Sequence, residues 1–191
     1  HVHDHAHHEA PHHHHSHDHH HGHKRRKQEP KDPHVWTSPA MVKRMAKVIR
    51  DKLRQLRPQL GSVFQQNYVQ LERQVDELDR SIRQQLQGLK NRRFMVFHPS
   101  WGYFAEAYDL EQVAIEQEGK EPGARALAGL VDQARQEGIK AVFVQPQFSR
   151  REAERLATEI DGAVMSIDPL AEDYAANLAR VAHQLNEALA R

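Results

Sequence analysis

Four short strand-like runs govern what this chain can fold into: Phe94–Phe97 and Ala141–Val144, both apolar, with Leu110–Ile115 and Ala163–Ile167. Each has the length of a buried strand and is too short for a packed helix. Between and after them the apolar residues change to helical spacing. Trp101–Tyr108, Ala124–Gln136, Glu152–Ile160 and Glu172–Ala190 all read as helices, the last carrying Tyr174, Leu178, Val181, Leu185 and Leu189. Strands that alternate with helices of this length need crossover connections. The pattern therefore predicts an α/β fold, a mostly parallel sheet flanked by helices.

Two helical stretches come first. Thr37 or Ser38 followed by Pro39 reads as an N-cap and a helix-opening proline. Met41, Met45, Val48, Ile49, Leu53 and Leu56 form a stripe that ends near Pro58, and Gly61-Ser62 is expected to break the chain. A second stripe runs through Phe64, Tyr68, Leu71, Val75, Leu78, Ile82, Leu86 and Leu89. A helix over 63–89 would be about 40 Å long. Its spacing suits a coiled-coil dimer or a helix lying across a globular body. The predicted organisation is a His-rich segment over 1–31, a first helical region over 32–62, the long helix over 63–89, and an α/β lobe over 90–191.

In parallel sheets of this kind, ligands bind beyond the carboxyl ends of the strands. The run Phe94–Phe97 leads directly into His98-Pro99, and Ala163–Ile167 into Asp168-Pro169. His34 follows Pro33 just before the first helix. Proline beside each stiffens the backbone. Two imidazoles and a carboxylate form a good donor set for zinc, so His34, His98 and Asp168 are the candidate ligands, expected to lie within about 5 Å of one another. The competing reading makes His98 and Asp168 ordinary turn residues, with Asp168 capping the last helix. His183, within the last helix and without a partner motif, reads as a packing or surface residue.

Of 17 histidines, 14 fall in the first 23 residues. Imidazole is the commonest protein ligand for zinc, copper and nickel, and a His-rich tract is a metal-binding composition. The tract lacks apolar periodicity, which predicts a segment without fixed structure and with many interchangeable weak sites. His12, His13, His14, His15, His17, His19, His20, His21 and His23 are its candidate auxiliary ligands. A purification tag is the competing reading, but Asp4, Glu9 and Asp18 interrupt the histidines. The chain opens at His1 without methionine and is expected to be a piece of a longer protein. A net charge of +1 gives no electrostatic footprint for nucleic acid. The absence of cysteine excludes disulfides and thiolate metal sites, and no apolar run reaches the 18 residues of a membrane span.

From Asp32 onward the chain resembles the C-terminal lobe of the zinc-specific substrate-binding proteins of bacterial ABC importers, the cluster A-I or ZnuA-like family. The matching segments are Asp32-Pro33-His34-Val35-Trp36, His98-Pro99-Ser100-Trp101-Gly102-Tyr103-Phe104, Glu118-Gly119-Lys120-Glu121-Pro122, Val142-Phe143-Val144 leading to Pro146-Gln147-Phe148-Ser149, and Asp168-Pro169-Leu170. The resemblance implies that His34, His98 and Asp168 ligate Zn2+ as transported cargo, and that an imidazole at His98, where manganese-type members carry a carboxylate, favours zinc. It implies a His-rich loop before the Asp-Pro-His motif and a rigid inter-lobe helix over 63–89. It implies an ABC permease as partner, a periplasmic or cell-surface location, and an N-terminal lobe that supplies a further ligand and is absent here. Gln145 departs from the family, which often has glutamate there.

Two readings from other classes compete with a transport role. Three protein ligands and an open water position also describe a zinc hydrolase, for which Glu116 and Glu118 are the nearest candidate bases. A stand-alone metal buffer would work through the His tract alone.

Overall fold

The computed structural model describes residues 31–116 and 119–190. The expectations for the His tract, including His12 to His23, lie outside the described residues. From Asp32 onward the chain forms one compact unit.

A short 3-10 turn, Val35–Thr37, leads into helix α1, Pro39–Leu56. Ser38 is its N-cap residue and proline takes the first position, where a missing N–H costs nothing. The chain reverses at Arg57–Leu60 rather than at Gly61-Ser62. Pro58 removes a donor and pushes Arg57 out of the helical region, to φ −140° and ψ 72°. Gly61 is itself helical and opens α2, Gly61–Gln85. At 25 residues α2 is about 38 Å long. It stops short of Leu89 because the chain turns at Gly88, whose φ of +78° suits only a residue without a side chain.

The α/β region follows: β1 (Arg93–Val96), α3 (Gly102–Ala107), β2 (Glu111–Ala114), α4 (Ala124–Gln136), β3 (Ala141–Val144), α5 (Arg151–Glu159), β4 (Ala163–Ser166) and α6 (Tyr174–Leu189). All strand pairs are parallel, in the order β2-β1-β3-β4. The connections run outward from β1 to β2 and then cross to β3 on its other side. The order therefore reverses between β1 and β3, the place where such sheets open a crevice at their carboxyl edge.

Alternation along the strands divides the core in two. Phe94, Val96 and Phe143 pack with Ile82 and Leu86 of the α2 end and with Leu178, Val181 and Leu185 of α6. Met95, Val142 and Val144 pack with Val131 and Ala134 of α4 and with Ala153 and Leu156 of α5. Helices thus cover both faces, and the central strands, β1 from Phe94 onward and β3, are apolar and buried on both sides. Tyr108 is buried over α2 and donates its hydroxyl to Asp79 at 2.9 Å. Burial first, then that hydrogen bond, push the phenol far above its ordinary range.

Only the second half of the α2 stripe joins this core. Val75, Leu78 and Ile82 are buried, whereas Leu71 is exposed. The α1 stripe does not reach the sheet at all: Val48, Ile49 and Leu56 are 68%, 57% and 63% exposed. Replacing Ile82 by alanine is expected to cost about 2–5 kcal/mol, because it leaves a cavity between α2 and the sheet. Replacing Val48 by alanine is expected to change stability by no more than about 0.5 kcal/mol. Urea unfolding of the two variants checks the contrast.

Candidate metal site

The site grows from strand register. Pairing runs from Arg93 beside Glu111 to Val96 beside Ala114. Extending that register two residues past the strand ends sets His98 beside Glu116. The Glu116 N–H donates to Phe97 O at 3.0 Å, so the ladder does continue. Register partners on adjacent parallel strands point to the same side of a sheet. The Glu116 carboxylate accordingly meets the His98 ring, accepting from Nδ1 at 2.5 Å. Its side chain is only 6% exposed. An ionised carboxylate only accepts, so the proton sits on Nδ1 and the Nε2 lone pair is left free.

His34 is held in the same way by its own segment. Asp32 Oδ1 accepts from the His34 backbone N–H at 2.9 Å and from its ring Nδ1 at 2.6 Å. The Thr37 hydroxyl donates to His34 O at 2.9 Å. Trp36 Nε1 donates to Pro169 O at 2.8 Å, which ties this segment to the loop after β4. The two imidazoles meet almost perpendicularly, with ring centroids 5.2 Å apart.

Asp168 follows β4 and is also fixed on one side. Its Oδ1 accepts from Gln147 Nε2 at 3.0 Å and from Leu170 N at 2.9 Å, while Asn177 Nδ2 donates to its backbone carbonyl at 2.6 Å. Oδ2 takes part in none of these bonds. Asp168 does not cap the last helix; Asp173 does, accepting from Ala176 N at 3.1 Å.

The three candidate ligands are not gathered as the strand-end reading expects. Among the described residues no three His, Asp or Glu side chains stand close enough to hold one metal ion. The spacing of the sheet explains this. β3 lies between β1 and β4, which separates their ends by about 10 Å.

The loop after β3 fills that interval. Gln145, 2% exposed, donates from Nε2 to His98 O at 3.0 Å and to Ser100 Oγ at 2.7 Å. Phe148 stacks on the His98 ring, with centroids 5.2 Å apart and planes at 18°. Asp32, Glu116, Gln145 and Phe148 thus complete the surroundings of the two histidines. In the sequence Asp32 and Phe148 stand within the family-like segments, Glu116 is a candidate base and Gln145 a departure from the family; none of the four is paired there with its histidine. The parallel register was the signal that would have paired Glu116 with His98. Glu118 lies outside the described residues. His183 is an exposed residue of α6, 3.7 Å from Glu187. Because Asn177 is buried beneath the Asp168 carbonyl, Asn177→Ala is expected to destabilise the fold by about 1–3 kcal/mol in thermal or urea denaturation.

A doubly wound α/β lobe with two carboxylate-held imidazoles at its sheet edge has the makings of a metal-binding protein. The family model described as ZnuA, zinc-uptake complex component A periplasmic, matches residues 1–188, and the chain belongs to that family. It is 33% identical over 167 residues to the high-affinity zinc uptake system protein ZnuA of Haemophilus influenzae, covering 83% of this chain and 50% of that protein. It is 31% identical over 141 residues to the zinc-binding protein AdcA of Streptococcus pyogenes serotype M6, covering 73% of this chain and 27% of that protein. A crystal structure of ZnuA superposes with a TM-score of 0.81 at 41% identity, over 82% of this chain and 62% of that one. A zinc-bound deletion mutant of ZnuA gives 0.81 at 40%, over 85% and 63%. The chain spans about half the length, or less, of the curated relatives it matches.

Proposed function

We propose that this chain is the C-terminal lobe of a zinc-capturing protein that hands Zn2+ to an ABC permease, in the periplasm or at the cell surface. Its ligands would be His34 Nε2, His98 Nε2 and Asp168 Oδ2. One observation carries this reading. Each of the three has one donor atom tied to an orienting partner (Asp32, Glu116, or Gln147 with Leu170 N) and the opposite atom left for a metal. Carboxylate-held imidazoles are what zinc sites use to fix the tautomer and raise ligand basicity. The ring contact between the histidines puts two donors near one point.

Zinc takes four ligands, and this lobe offers three. A second, N-terminal lobe is the source we propose for the fourth. The exposed apolar stripe of α1 supports it, as does the greater length of the relatives. Within this reading, residues 1–31 are a His-rich auxiliary segment and 32–62 carry the first ligand. The long helix of this region, α2 (Gly61–Gln85), would join the lobes, and 90–191 form the lobe itself. No helix among the described residues is long and apolar enough to cross a membrane; the partner we propose is an ABC permease. A hydrolase is disfavoured because Glu116, its candidate base, is engaged with His98 Nδ1.

Chelator competition at no more than one equivalent of zinc, where the tightest site fills first, tests the assignment. His34→Ala, His98→Ala and Asp168→Ala should each abolish the tightest site while leaving weak binding by the tract. Asp32→Asn and Glu116→Gln should keep the site but weaken it about 10–100-fold, as expected for partners that orient a ligand. Wild-type affinity in His98→Ala would sink the reading.

Preference between metals is a separate outcome. Two imidazoles favour the later metal in the divalent series. Competition between the two ions on the same protein should therefore give zinc a large advantage over manganese. Equal binding would contradict the imidazole-rich ligand set.

A further inference from the structure

We infer that Gly102 is a positioning residue for His34: it leaves vacant the space in which the Asp32 carboxylate lies while holding that imidazole. The inference rests on the ligand role proposed for His34 and adds a residue that the metal does not touch. Gly102 is the first residue of α3 and follows the buried Trp101. A Cβ built on it would stand 2.8 Å from Asp32 Oδ2 and 3.3 Å from Gln112 Nε2. The first distance is inside van der Waals contact, so any side chain at 102 must push the carboxylate aside.

Asp32 has little freedom to yield without consequence. Its other oxygen, Oδ1, accepts at once from the His34 backbone N–H at 2.9 Å and from His34 Nδ1 at 2.6 Å. Displacing Oδ2 turns or translates the whole carboxylate and so lengthens or bends one of these bonds, which weaken steeply with misalignment. The ring bond is the one that sets the tautomer of His34 and aims Nε2 at the metal. Gln112 cannot simply make room either, since its Oε1 accepts from Trp101 N at 2.9 Å. Three segments distant in sequence therefore meet at one missing methyl group: the Asp32–His34 turn, the start of α3, and the edge strand β2.

The backbone does not require glycine here. Gly102 has no positive φ, unlike Gly88, Gly119 and Gly138, and alanine is a better helix former than glycine. The space is what matters. Gly102→Ala is therefore expected to fold normally and to melt at the same or a higher temperature, since it narrows the unfolded ensemble. Its zinc affinity should nonetheless fall about tenfold, at the lower end of the range for lost outer partners. A defect of packing would lower both quantities together.

The experiment is a double-mutant cycle on the full chain, read by chelator competition at no more than one equivalent of zinc and by thermal melting. The four proteins are wild type, Gly102→Ala, Asp32→Ala and the double variant, with His34→Ala alongside. The expected result is weaker zinc binding in Gly102→Ala with no loss of stability. No further loss is expected when Gly102→Ala is added to Asp32→Ala, because the clash has lost its target. The Nδ1–H proton resonance of wild type that is missing in His34→Ala should shift or broaden in Gly102→Ala before any metal is added. Unchanged affinity in Gly102→Ala overturns the inference, and so does an equal loss with and without the Asp32 carboxylate. If His34→Ala itself binds zinc as wild type does, the ligand assignment fails. If only Gly102→Ala behaves as wild type, the ligand stands and the positioning role falls.

Discussion

Parallel hydrogen bonding around β1 is the constraint on which the site depends. β1 has neighbours on both sides, and each register carries past the strand ends. The pairing of Val96 with Ala114 places Glu116 against His98, and the pairing of Val96 with Phe143 places Gln145 against the His98 carbonyl. His98 thus lies between a carboxylate from one neighbour and an amide from the other. Neither contact needs a loop to find its partner, because the ladder sets the offsets. A one-residue slip of β2 would turn the residue beside His98 to the opposite face and leave the imidazole without its acceptor.

His34 reaches the same place by a different route. It belongs to no strand, and its position comes from a local turn closed by Asp32 and from long-range ties through Trp36 to Pro169 and through Asp32 to the space at Gly102. One histidine is fixed by the sheet and the other by side-chain contacts across the top of it. Their perpendicular rings meet where these two supports converge. Asp168, two strands from β1, is braced by the β3 loop and by α6 rather than by the histidines. The folded lobe therefore holds the two imidazoles together and braces the Asp168 carboxylate by separate contacts.

The exposed α1 stripe belongs to the same physical account. Its apolar residues have helical spacing as regular as that of α2, yet the sheet is already covered by α2 and α6 on one face and by α4 and α5 on the other. With both faces occupied, α1 packs along α2, with Lys43 reaching Asp76, and leaves part of its stripe outward. Helical periodicity reports that a face is apolar; which surface it meets depends on how much surface the rest of the fold has left.

The sequence by itself determined the α/β class, the strands to within a residue at most ends, and the placement of His98 and Asp168 just beyond the carboxyl ends of two of them. These features are local: apolar runs of strand length, helical spacing between them, and proline after each candidate ligand. His34 stood out by its place beside Pro33 just before the first helix, and the family motif agreed with it. Tertiary structure alone decided the rest. Glu116 is 18 residues from His98, and Gln145 is 47; only the register of paired strands brings them together. The break at Pro58 rather than Gly61 turned on the backbone angles at Arg57. The order β2-β1-β3-β4, which sets β3 between the strands that lead to His98 and Asp168, was decided there too: Phe94–Phe97 and Ala141–Val144 are equally apolar on both faces and either suits the centre of a sheet, while Glu111 and Gln112 fit the edge that β2 occupies.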